Sequence, residues 1–103
     1  MRFLVKVKPD LERTNKSIVE GTFDQKMQQV LSHINPEAAY FFEEGGCRTA
    51  IFVVDIQKAS EIPNIGEPFF HGMGAEVHFH PVMSPQDLRE SNLHETASQW
   101  SRA

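Results

Sequence analysis

The sequence is poor in the features that mark most large functional classes. Its one cysteine, Cys47, allows no intrachain disulfide and no cysteine-based zinc site. No run of lysine or arginine occurs, and 10 basic residues stand against 14 acidic ones, for a net charge of −4. Such a surface repels phosphate backbones unless its cations gather on one face, so no nucleic-acid partner is expected. No stretch approaches the ~18 consecutive apolar residues of a membrane span. The opening Met-Arg-Phe-Leu-Val-Lys-Val-Lys-Pro interrupts its apolar run with charges, unlike the core of a signal peptide. A cytoplasmic protein with no membrane partner is the expectation. At 103 residues the chain has room for one domain, which excludes a Rossmann enzyme, a TIM barrel and a kinase. Internal repeats and low-complexity segments are absent. Gly72-x-Gly74 is too short for a phosphate loop.

The patterning that is present predicts an α+β protein. Phe3, Val5 and Val7 alternate with Leu4, Lys6 and Lys8, the period of a strand, and Pro9-Asp10 ends it. Ile18 and Val19 fall in a first short helix, with Asn15 a candidate cap. Phe23, Met27, Val30, Leu31 and Ile34 then form one helical stripe, capped by Thr22 or Asp24 and stopped at Asn35-Pro36. Ala38–Glu44 reads as a second strand, Gly45-Gly46 as a hairpin turn and Arg48–Asp55 as a third strand. Gln57–Ile65 suggests a short helix interrupted at Pro63, or restarted there. Glu67–Phe70 is a second short apolar element, and Gly72 with Gly74 marks a loop. Ala75–Val82 is the fourth strand. Ser84-Pro85-Gln86-Asp87 opens a final helix with serine as its cap and proline in its first turn. The order is a ferredoxin-like β-α-β-β-α-β sandwich with an extra C-terminal helix. Residues 1–88 form the domain; residues 89–103 are the end of that helix and a polar tail. Trp100 either anchors this tail on a partner or hangs free.

The middle strands are apolar on both sides. In the third, Ala50, Phe52 and Val54 point one way and Ile51 and Val53 the other. In the second, Phe41 opposes Tyr40 and Phe42. Two helices cover only one face of a sheet, and a bare aromatic face exceeds the few hundred Å² of apolar patch usual on a monomer. Two such faces are buried most simply by a homodimer with two-fold symmetry, although a C-terminal helix folded across the face would also serve.

This plan resembles the dimeric α/β-barrel superfamily, which includes antibiotic-biosynthesis-type monooxygenases and muconolactone isomerases. Several segments look more specifically like a bacterial family of about 100 residues with no assigned activity. These are Met-Arg-Phe-Leu-Val-Lys-Val, Glu20-Gly21-Thr22, Pro36–Phe41, Gly46–Ala50, Ile62-Pro63 with Glu67-Pro68, and His80–Leu88. The resemblance implies a dimer whose sheets enclose a small cavity. The isomerases and monooxygenases carry their chemistry on side chains in that cavity, and no position of theirs maps onto this chain. The family commonly holds only the second histidine of the His78-Phe79-His80 pair.

Four residues are the candidates for chemistry. By period two, Glu76, His78 and His80 share one face of the fourth strand, while Val77 and Phe79 turn to the helices. Either histidine suits a general base near neutral pH. Tyr40 and Arg48 are placed to orient a carbonyl or enolate oxygen. The bland alternatives are solvated histidines on an edge strand, a core tyrosine and a solvated arginine. Glu76 and His80 lie about 13 Å apart along the strand, so a metal would need a third ligand such as Glu43 or His71. No metal and no cofactor are therefore assigned. His71, in the expected loop, is a candidate lid residue. The functional expectation is a protein that binds a small apolar or carbonyl-containing molecule in a cavity between sheet and helices. It extends to a cofactor-free isomerase or monooxygenase. The alternative is a non-catalytic dimeric module for interaction or metabolite sensing.

Overall fold

The computed structural model describes residues 1–101. The remaining residues of the expected tail, 102–103, lie outside the described residues. The chain is α+β, with four strands in one antiparallel sheet and, among the described residues, five α-helices. The strands are β1 (Arg2–Lys8), β2 (Ala38–Glu44), β3 (Cys47–Asp55) and β4 (Glu76–Pro81), in the spatial order β2-β3-β1-β4. Helices α1 (Leu11–Glu20) and α2 (Phe23–Ile34) join β1 to β2, and α3 (Ile62–Met73) joins β3 to β4. Helices α4 (Pro85–Glu90) and α5 (Leu93–Ser101) follow the last strand. This arrangement is compatible with a ferredoxin-like plan.

Alternation sets which face each residue serves. Val5 and Val7 of β1 and Ala50, Phe52 and Val54 of β3 are buried beneath Val30 and Ile34 of α2 and Ile65, Phe69 and Met73 of α3. Phe52 and Phe69 are fully enclosed and stack with ring centroids 5.1 Å apart. Val77 and Phe79 also pack on this core, as their parity requires. The β2–β3 hairpin closes through Gly45 and Gly46 at φ 58° and 80°. Two consecutive positive φ angles twist the turn in the sense of the strands, and glycine adopts them without a Cβ clash.

Beyond β4 the single expected helix and polar tail are two helices broken at Ser91-Asn92, and before β4 helix boundaries depart from the sequence reading in three places. First, α1 begins before Asn15. Asp10 caps it by accepting from the Arg13 backbone N–H at 2.9 Å, while the Asn15 side chain is engaged with Arg48. Second, Thr22 occupies the cap position of α2 but makes no capping bond; its hydroxyl donates back to Ser17 O. Third, α3 runs without a break from Ile62 to Met73, so Gly72 and His71 are helical and no loop holds them. Pro63 starts this helix where a missing N–H costs nothing, but Pro68 lies within it.

Proline at position 68 cannot donate to the carbonyl of Asn64. His33 of α2 meets that oxygen instead, with its Nε2 2.8 Å from Asn64 O. A side chain from another helix thus replaces the lost rung and ties α2 to α3. The far end of α3 is closed similarly. Gly74 adopts φ 56°, and the Arg13 guanidinium donates to the His71 and Gly72 carbonyls at 3.0 and 3.2 Å.

His33→Ala is expected to lower the unfolding free energy by about 1 kcal/mol, the net worth of an ordinary hydrogen bond. In a Pro68→Ala background the helix supplies its own donor, so the same change should cost much less. A double-mutant cycle by urea denaturation measures this; equal losses in both backgrounds would contradict the replacement.

Candidate functional site

The sheet carries two distinct surfaces that could hold a ligand, one on each face. On the helix side, a cleft of about 240 Å³ opens between the β2–β3 hairpin and the three helices. Its walls are apolar, with Phe23 and Met27 from α2, Phe41 and Phe52 from the sheet, and Phe69 and Met73 from α3. Phe41 stands edge-on to Phe52, with centroids 6.1 Å apart. Because β2 is an edge strand reaching past the helices, Phe41 is exposed despite pointing to the covered side. Polar lining comes from Thr14, Thr49 and Arg48, and Arg48 is the one ionisable side chain among them. The Arg48 Nη1 donates to Asn15 Oδ1 at 2.7 Å. A guanidinium has five donors in a fixed plane, so this bond orients the group and leaves others available to an oxygen.

The opposite, helix-free face is divided. Its apolar half comprises Leu4, Ala38, Tyr40, Phe42, Ile51 and Val53, adjacent by register across β1, β3 and β2. Tyr40 is 65% exposed and Phe42 41%. Its polar half is a groove of about 260 Å³ lined by Lys6, Lys8, Glu44, Thr49, Glu76, His78 and His80. The histidine rings lie nearly parallel, with centroids 6.3 Å apart, and His78 Nε2 is 3.7 Å from Glu76 Oε2. Lys6 reaches across Thr49 to pair with Glu44. That hydrogen bond, reinforced by the charges of Lys6 and Lys8, holds the Glu44 carboxyl below its ordinary range.

The four candidate residues are therefore not one constellation. His78 and His80 are neighbours on the open face. Tyr40 shares that face and the register level of His78, but Ile51 and Lys6 stand between them. Three strand spacings make that separation about 14 Å. Arg48 lies on the other side of the sheet, with Ala50 and Phe52, because positions two apart share a face. Neither proposed third metal ligand joins the histidines. Glu43 accepts from the Gly46 backbone N–H at 2.7 Å, and His71 pairs with Glu67 one helical turn away. Among the described residues no three His, Cys, Asp or Glu side chains gather closely enough to hold an ion. His71 as a lid is overturned by its place in α3.

Sequence reasoning missed the walls supplied by Thr14, Phe23 and Met27. Period two in β3, which puts Arg48 on the face of Ala50 and Phe52, was the signal available for the cleft's polar anchor and was not applied to it. No helix among the described residues is long and apolar enough to cross a membrane.

The Glu44–Lys6 pair has a pH signature. A carboxyl held low when folded stabilises the fold above its unfolded pKa, and that contribution disappears as pH falls through the folded value. The melting temperature of the native chain should therefore exceed that of Glu44→Gln at neutral pH, and the gap should close in acid below the ordinary glutamate range. A gap that persists unchanged to the lowest pH would contradict this. Compared with known proteins, the chain matches no family model and no curated sequence.

Proposed function

We propose that this chain is a ferredoxin-like, dimer-forming protein that binds one small apolar molecule bearing a carbonyl or carboxylate group. The site is the cleft between the sheet and the helices, with Arg48 as its polar anchor. One observation carries the reading: an apolar cavity with a single ionisable side chain in its lining, already oriented by Asn15. Ligand pockets typically combine apolar walls with a few placed polar groups. The size sets the ligand class. An engineered apolar cavity of about 150 Å³ holds benzene; at about 240 Å³ this one has room for a ring and a short substituent.

The cleft favours binding over proton transfer, because no His, Asp, Glu, Lys or Cys lines it. A general base at His78 or His80 would act on the opposite face, in the groove beside Lys6 and Lys8. That groove would be enclosed only when a second copy covers the open face. Cofactor-free isomerase or monooxygenase chemistry belongs to this second reading, which the close histidine pair favours. The homodimer itself is supported by the contiguous apolar half of the open face, where Tyr40 and Phe42 remain exposed.

Phenylacetate and the neutral analogue benzyl alcohol are suitable probes, titrated against the ¹H–¹⁵N spectrum. Saturable shifts at Thr14, Phe41, Arg48 and Ala50 are expected with both. Arg48→Ala should weaken phenylacetate by about tenfold or more, the value of a charge-assisted hydrogen bond, and leave benzyl alcohol little changed. No saturable shift at the cleft, or equal losses for the two probes, would overturn the assignment.

A further inference from the structure

We propose that α4 and α5 form an arm that reaches past the stacked open faces onto the flank of a second copy of this chain, each copy clasping the other. The proposal rests on the homodimer reading and names the segment that completes its interface.

The arm is folded yet every one of its residues stays unburied. Its first turn is fixed by a reciprocal cap: Ser84 Oγ accepts from the Asp87 N–H at 3.1 Å, and Asp87 Oδ2 accepts from the Ser84 N–H at 2.9 Å. The Ser84 backbone N–H and hydroxyl, with the positive charge of Arg2, also hold the Asp87 carboxyl below its usual range. Helices of six and nine residues are far below the length that persists alone in water, so they need tertiary packing. Neither buries a single residue in this chain. Among the described residues, every hydrogen bond of 84–101 stays within the arm. The long axis of the molecule is 60 Å and its radius of gyration 17.4 Å, where about 13 Å is usual for a compact domain of this length.

The arm has an apolar side for such packing. Leu93, Ala97 and Trp100 recur at i, i+4 and i+7 in α5, one stripe along the helix. Leu88 and Met83 precede it, also exposed, and Trp100 is 76% exposed.

Area points to a second copy as the occupant. Four strands at about 4.8 Å spacing and some seven residues of about 3.3 Å give a face of roughly 440 Å². A stable dimer buries about 800 Å² per partner, so two stacked sheets alone fall short. An arm about 25 Å long and about 10 Å wide adds roughly 250 Å² from each copy and brings the interface into that range. The chain's own open face is not the seat, since Tyr40 and Phe42 remain exposed with the arm in place.

Trp100 is the only tryptophan, so its fluorescence reads the arm directly. In the full chain, raised from nanomolar to tens of micromolar, its emission should move to shorter wavelength and iodide quenching should fall. Both changes should track a doubling of light-scattering mass. Leu93→Glu alters a residue buried by nothing in the single chain, so the thermal unfolding of a dilute sample should be unchanged. Its dimer dissociation constant should rise by at least about tenfold, the value of one buried leucine. Water-like Trp100 emission in a sample of dimer mass would overturn the arm and leave the dimer standing. A monomer mass at every concentration would overturn both. Burial of Trp100 independent of concentration would place the arm on its own chain and overturn the exchange.

Discussion

A single sheet with helices on one side has a second side to account for. In this chain the constraint is acute, because β2 and β3 are apolar in both parities. The covered parity is satisfied internally: Val5, Val7, Phe52 and Val54 meet α2 and α3, and the Phe52–Phe69 stack lies at the centre of that contact. The other parity places Tyr40, Phe42, Ile51, Val53 and Leu4 together, and Tyr40 and Phe42 remain exposed. The proposals for assembly follow from this imbalance. The cleft arises on the covered side, where β2 runs past the edge of the helical layer.

The two faces also divide the chemistry. The covered side offers an open, nearly uncharged cleft with one oriented guanidinium, suited to recognising an oxygen on a small apolar molecule. The open side concentrates the titratable groups, with Lys6, Lys8, Glu44, Glu76 and the two histidines around one groove. The His78 and His80 rings are separated by the sheet from a ligand held in the cleft, and Thr49 alone borders both spaces. Binding in the cleft and acid–base work at His78 or His80 are therefore separate hypotheses about separate places.

Much of the fold was legible in local pattern. Alternation located β1, apolar runs on either side of a glycine turn located β2 and β3, and the limits of Ala38–Glu44 agree with the structure. Gly45-Gly46 marked the hairpin because both φ angles are positive, and Ser84 marked the α4 cap. What escaped depends on distant partners. Pro68 reads as a helix breaker, and only His33, far away in sequence, makes the continuous α3 tolerable. The polar α1 hid its start at Asp10, because its apolar residues are few. For the site, the sequence reading set Tyr40 and Arg48 around one oxygen, whereas the hairpin register puts them on opposite faces, and their distance from the histidines required the strand order. The single expected C-terminal helix is two helices with a break at Ser91-Asn92, and the extension of that arm from the body left no mark in periodicity.

The central claim is that the helix-free face does not meet water in the assembled protein. Side-chain oxidative footprinting reads this directly at Tyr40 and Phe42, with Val19, 87% exposed on α1, as internal reference. The account predicts that labelling of Tyr40 and Phe42 falls several-fold from dilute to concentrated protein while Val19 stays constant. Equal labelling of all three at both concentrations would contradict it.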